Sequence, residues 1–182
     1  MSMDKKDRKK LRNYWKPENV NVLFIGESPP DDENAYFYNH NYENKKGMPL
    51  FRRITDAFID TKLDSKEEKL KILKKSGFWL VDFFQEPMKE QKEKPSWNQI
   101  EKYVKEFLSE VSEEVKPEYF VFLIPGFKKE KMLWKYILAN LITEKLQNKM
   151  ILHPKIIVIE RWKELNKDSE ELKPLRNLIR NE

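Results

Sequence analysis

Four stretches of the chain are densely apolar and rich in β-branched and aromatic residues: Val20–Ile25, Phe78–Asp82, Tyr119–Ile124, and all or part of Met150–Ile159. Such runs are the mark of strands buried on both faces, as in parallel sheets. Between them the apolar spacing changes to a helical period. Pro49–Asp60 carries Leu50, Ile54, Ala57 and Phe58 on one face, and Ser65 with Glu68 forms a capping box opening a helix that Gly77 stops. Ser96 with Gln99 opens the next, whose stripe is Trp97, Ile100, Tyr103, Val104, Phe107, Leu108 and Val111. Lys129–Leu146 and Ser169–Arg180 read as two further helices. Strand and helix alternate, which predicts an α/β fold: a three-layer α/β/α sandwich around a central four-stranded parallel sheet.

Length fits this plan, since 182 residues suit one core. The expectation is a single domain over 1–182, with a basic helix or arm over 1–16. The one linker-like stretch, Glu86–Pro95, reads as an exposed loop. Aromatic content of 13% is too high for a disordered chain despite 37% charged residues. No apolar run approaches the roughly 20 residues that cross a bilayer, and Met1–Lys10 is charged, which points to a cytoplasmic protein with no membrane partner. Absence of cysteine excludes disulfides, thiolate nucleophiles and iron–sulfur clusters, and two histidines, His40 and His153, leave little for an imidazole metal site. The net charge of +5 fits either a polyanionic partner or a lysine-rich solvated surface. The run Lys5–Arg12 is more basic still, and N-terminal runs of this kind are commonly a solvated helix or arm.

Chemistry concentrates after the first strand. In open α/β sheets ligands sit beyond the carboxyl ends of the strands, so the loops at Gly26 and Gly126 should border one crevice. The first of them reads Gly26-Glu27-Ser28-Pro29-Pro30, where glycine permits a turn and two prolines fix the backbone. A carboxylate held there could position a water or act as a general base; Glu27 could equally cap the turn. Pro125-Gly126-Phe127-Lys128-Lys129 offers glycine for close approach and lysines for charge, as a phosphate loop does.

The strand ending in Gly26-Glu27-Ser28-Pro29 resembles the first motif of the uracil-DNA glycosylase superfamily, in which a buried strand leads to Gly, a polar residue, a variable residue and Pro. Downstream, Tyr36-Phe37-Tyr38 is similar to the segment bearing that family's stacking phenylalanine, and Gly47-Met48-Pro49-Leu50-Phe51 opens the next helix. Phe78-Trp79-Leu80-Val81-Asp82 resembles the strand that ends in a base-reading asparagine. Val20–Pro87 carries the resemblance and the rest follows by element order. It implies a pocket that takes a nucleotide flipped out of DNA and hydrolyses its N-glycosidic bond without a cofactor. By position, Glu27 would orient water, Ser28 would stand where the most active branch has aspartate, and Phe37, or else Tyr36 or Tyr38, would stack on the base, unless Phe37 only packs the core. Backbone contacts are expected from Pro29, Pro30, Lys128, Lys129 and Lys155.

Two positions depart from the family. Asp82 replaces the asparagine, and an ionised carboxylate accepts hydrogen bonds but cannot donate one to a uracil carbonyl, which favours a base presenting donors, unless Asp82 only caps the next loop. The family's histidine–proline pair is matched only by His153-Pro154, with His153 helping electrostatically if the last strand ends there. If that strand begins at Lys155 instead, the loop in play is Glu160-Arg161-Trp162-Lys163, whose Arg161 and Lys163 could touch phosphate. The missing cysteines set the chain apart from the iron–sulfur branch, with Trp97, Trp134 and Trp162 as candidates for the packing that would replace the cluster. The expected function is a monomeric DNA glycosylase-like hydrolase acting on uracil, a deaminated base or a modified base. The alternatives are an inactive nucleic-acid-binding relative, and a binding protein or hydrolase for a free nucleotide or other small ligand, for which Asp31-Asp32-Glu33 could recruit a divalent metal.

Overall fold

A computed structural model of the chain describes residues 3–41, 49–59, 65–87, 96–111, 115–123, 144, 155–159 and 164–180, with Trp97 and Arg180 described by backbone alone. Its elements are α1 (Lys5–Tyr14), β1 (Val22–Gly26), a 3-10 turn (Glu33–Ala35), α2 (Pro49–Phe58), α3 (Lys66–Lys75), β2 (Phe78–Asp82), α4 (Trp97–Glu110), β3 (Tyr119–Leu123), β4 (Lys155–Ile159), a second 3-10 turn (Glu170–Leu172) and α5 (Lys173–Arg180). The helix expected over Lys129–Leu146 lies outside the described residues apart from Glu144, which is helical.

The chain is an α/β protein with a four-stranded, all-parallel sheet in the order β2-β1-β3-β4. Every residue of β1, β2 and β3 is buried, so both faces of those strands are covered. Transfer from water stabilises each buried Leu, Ile, Val or Phe by about 1.5–3 kcal/mol. Phe24 of β1 stacks edge-on against Phe58 of α2 and tilts against Phe78 of β2. Phe107 of α4 meets Phe83, just beyond β2.

Local signals explain the helix ends. Pro49 opens α2, where its missing N–H costs nothing. Ser65 Oγ accepts from Glu68 N to start α3, and Gly77, at φ +77°, follows that helix in a conformation other residues avoid. At α4 the capping box is complete: Ser96 Oγ accepts from Gln99 N, and Gln99 Oε1 accepts from Ser96 N at 2.7 Å.

The strand order locates a crevice. From β1 the chain passes through α2 and α3 to β2 on one side, then through α4 to β3 on the other, so the direction of winding reverses between β1 and β3. At such a switch point the connections leave in opposite directions and open a crevice at the carboxyl ends of the strands. Gly26 stands there, paired in register with Asp82 on one side and Leu123 on the other.

Candidate functional site

A cleft of about 370 Å³ occupies this crevice. Gly26, Glu27, Ser28, Pro29, Pro30 and Asp31 form one wall, and Pro49, Leu50, Asp82, Pro87 and Leu123 complete the lining. Its size is that of a small-molecule site, mostly apolar with a few polar groups. The wall is fixed by more than its prolines, because the chain beyond β2 continues to pair with it. Phe83 N donates to Gly26 O at 2.8 Å, and Phe84 N to Glu27 O at 2.9 Å. Glu27 and Ser28 are half-buried on this tethered segment. A half-buried carboxylate and a hydroxyl at the rim of an apolar cleft can hold a water and hydrogen-bond a polar ligand.

Asp82 is the chemically unusual group. It is buried at the end of β2, and burial pushes its carboxyl up to about 7, against the downward pull of Arg12 and Arg8 and with a further upward push from Glu27. Among the described residues no ion pair or side-chain hydrogen bond holds its carboxyl. Its close approach requires glycine next door, since a Cβ on residue 26 would collide with Asp82 Oδ1. The loop glycine therefore does more than turn the chain; it makes room for the acid. The raised value also changes what Asp82 can recognise. Near neutral pH a large share of the group carries its proton, and a neutral carboxylic acid both donates and accepts, as an amide does. The expectation that Asp82 disfavours a uracil carbonyl assumed the ionised form, which burial makes less favourable.

Beside the cleft lies a smaller polar cavity lined by Lys5, Arg8, Lys9, Arg12, Pro29, Tyr36, Asp82, Phe84 and Gln85. Pro29 and Asp82 belong to both. Arg12 Nη1 donates to Gln85 Oε1 at 2.8 Å, Gln85 Nε2 donates to Asp82 O at 2.7 Å, and Arg12 Nη2 pairs with Glu110. The basic run at the start of the chain is thus a helix whose buried stripe is Arg8, Arg12 and Trp15, rather than a solvated arm. Spacing of i, i+4, i+7 was the available signal, masked by the lysines around it.

The aromatic cluster behaves differently from what the resemblance implies. Phe37 is 7% exposed and packs edge-on against Tyr38 and Phe51, at ring distances of 4.9 and 5.2 Å. It sits among Trp15, Phe24, Ile54 and Leu70 in the core and is absent from the lining of the cleft. Tyr36 lines the polar cavity rather than the cleft, and its hydroxyl donates to Arg8 O at 3.2 Å. Tyr38 serves the sheet instead. Its hydroxyl accepts from Leu80 N at 2.7 Å and donates to Leu80 O at 2.9 Å, closing the free edge of β2. One-letter patterns do not separate a core ring from a stacking ring.

Lys155 is placed at the far end of the sheet. It is the first residue of β4, in register with Tyr119, and its Nζ lies 3.3 Å from Tyr119 Oη and 3.5 Å from Glu118 Oε1. Four residues of strand, about 13 Å, separate it from the carboxyl end, so the expected backbone contact at the cleft does not come from this lysine. The same boundary bears on His153. With β4 running from Lys155 to Ile159, its carboxyl end is Ile159, and residue 153 precedes the strand. His153 itself, Gly126, Lys128, Lys129, Trp134, Arg161, Trp162 and Lys163 lie outside the described residues. Asp32 of the acidic run caps the first 3-10 turn by accepting from Asn34 N at 3.0 Å, and among the described residues no three His, Asp or Glu are grouped to hold a metal.

The chain is thus an α/β protein with a cleft at the carboxyl ends of its strands. Comparison with protein-family models, with curated proteins and with solved structures found no match.

Proposed function

We propose that the chain is a DNA glycosylase-like hydrolase that takes a base swung out of DNA into the carboxyl-end cleft and cleaves its N-glycosidic bond. One observation carries this reading: Glu27 and Ser28 of the loop after β1 and Asp82 at the end of β2, 54 residues further along the chain than Ser28, border one cleft at the switch point of a parallel sheet. The resemblance of Val20–Pro87 to the uracil-DNA glycosylase superfamily supports the same fold type, a three-layer sandwich around the sheet.

In this reading Pro49, Leu50, Pro87 and Leu123 give the flat base apolar walls, in place of the ring expected at Phe37. Ser28 and the neutral form of Asp82 meet its polar edge. Glu27 holds a water against the sugar carbon; water oxygen bonds to C1′, the bond from C1′ to the base nitrogen breaks, its electron pair leaves with the base, and Glu27 accepts the proton. A neutral Asp82 donating to a base carbonyl would stabilise the charge developing on the departing base, the role expected of His153. Preorganised donors of this kind contribute about 3–4 kcal/mol. Water and protein groups suffice for this hydrolysis, so the reading includes no cofactor, and the expected setting is a cytoplasmic monomer acting on DNA.

The test is incubation with oligonucleotides carrying uracil, hypoxanthine or modified bases, scored for abasic sites. Abasic sites from wild type and their loss in Glu27→Gln are expected. Release that is equally fast in Glu27→Gln would overturn the assignment. Burial of Phe37 in the core favours one rival, a base-binding protein without the chemistry, which would bind the same strands and leave them intact.

A further inference from the structure

The polar cavity beside the cleft contains buried positive charge that the described residues do not fully neutralise. Lys5, Arg8, Lys9 and Arg12 follow one another on one face of α1. Three of them meet carboxylates: Lys5 reaches Glu106 at 3.7 Å, Lys9 reaches Glu110 at 3.1 Å, and Arg12 pairs with Glu110. Arg8 has no such partner among the described residues. It is only 6% exposed, its Nη1 donates to the Met3 carbonyl, and its Nε has no partner; Arg12, 5% exposed, also leaves its Nε unpartnered. Burying a guanidinium without an anion is costly, and an oxyanion is the partner its fork fits best. Asp82 shares the cavity but makes no ion pair with either arginine.

We infer that Arg8 and Arg12, with Lys5 and Lys9 at the mouth, form a phosphate subsite joined to the cleft through Pro29 and Asp82. The cavity admits about one water-sized group, which suits a single phosphoryl oxygen, leaving the other oxygens under the two lysines. Because Pro29 and Asp82 line both spaces, one ligand can place a ring in the cleft and its phosphate at the arginines. That this phosphate belongs to a DNA strand rests on the function proposed above; that it is a phosphate does not. The two sources are an internal phosphodiester and the terminal monoester of a free nucleotide.

The test uses a short single-stranded deoxyoligonucleotide without terminal phosphates, with deoxyuridine and deoxyuridine monophosphate as competitors. We expect the monophosphate to compete at least about tenfold better than the nucleoside, as hydrogen bonds to charged groups allow. Arg8→Gln should erase that advantage, and Arg8→Lys should restore part of it by charge without the fork. The exposed pair Lys5→Ala/Lys9→Ala, which threatens folding least, should weaken oligonucleotide binding and flatten its salt dependence. Loss of oligonucleotide binding in Arg8→Gln identifies the strand as the source; loss confined to the monophosphate identifies the free nucleotide. Wild-type binding of every probe by both folded Arg8→Gln and Lys5→Ala/Lys9→Ala would overturn the subsite. Excision of a base that is insensitive to Arg8→Gln, with monophosphate competition also unchanged in that variant, refutes the subsite while preserving the proposed function. Arg8-dependent phosphate binding without excision of any base does the reverse.

Discussion

The two ends of the same sheet are built on opposite terms. At the amino end, Val22, Phe78, Tyr119 and Lys155 start the strands, and their surroundings are closed: Asn21 N and Val22 N both reach Gly77 O, Glu118 N and Tyr119 N both reach Asn21 O, and Lys155 leans on Tyr119 and Glu118. At the carboxyl end, Gly26, Asp82 and Leu123 stand in one row beneath a cleft, with an acid pushed up to about 7 and two buried arginines alongside. The strands and their register are shared, so topology alone separates the ends. The amino end ties down the backbone groups named above, whereas the carboxyl end keeps buried charge at a cost in stability, an arrangement typical of sites that work on ligands.

The contrast can be broken by substitution. The largest expected effect is on activity: Glu27→Gln should slow abasic-site formation by about a hundredfold or more, the usual range for a positioned base, while thermal melting stays near wild type. Next comes stability at Asp82. The folded group holds its proton up to about 7, whereas an unfolded aspartate loses it near 3.8. Its contribution is therefore full below pH 3.8 and is lost as pH rises through about 7. Asp82→Asn removes this loss, so melting scans should show little gain at about pH 4 and a gain of up to about 4 kcal/mol above about pH 7.

Two glycines give the next comparison. Gly26→Ala drives a methyl into the Asp82 carboxyl, which we expect to cost about 1–3 kcal/mol and to be largely relieved by adding Asp82→Ala. Gly77→Ala, at φ +77° with Asn19 O close by, should cost about 1–2 kcal/mol from backbone strain alone. Denaturant titrations check both, and only Gly26→Ala should also weaken ligand binding. The smallest effect is at Lys155→Ala, where loss of an exposed contact to Glu118 should leave activity unchanged and shift Tm by no more than about 2–4 °C.

The parallel sheet was legible because burial on both faces leaves continuous apolar runs, and the helix starts because Ser65 and Ser96 carry their caps in the local sequence. The start of the last strand stayed open in the sequence, because Met150–Ile159 has apolar residues on both sides of Pro154; β4 takes the later of the two starts, at the residue after that proline, which has no N–H to give a ladder. Glu27 could be named because strand ends mark the crevice, and Ser28 and Asp82 because their segments resemble the glycosylase motifs. Phe37 could not be judged, since burial depends on Phe51 and Trp15 arriving from distant segments. Nor could the state of Asp82, whose proton affinity is set by desolvation and by Arg8, Arg12 and Glu27 converging in space.

The claim that the carboxyl end is the working end is tested most directly by nuclear magnetic resonance, titrating the labelled protein with a short deoxyuridine-containing single strand and following backbone amides. We expect the largest shifts at Gly26, Glu27, Ser28, Asp31, Asp82 and Leu123, with Glu118, Tyr119 and Lys155 unmoved. Shifts concentrated at the amino-end residues, with the cleft silent, would contradict the assignment.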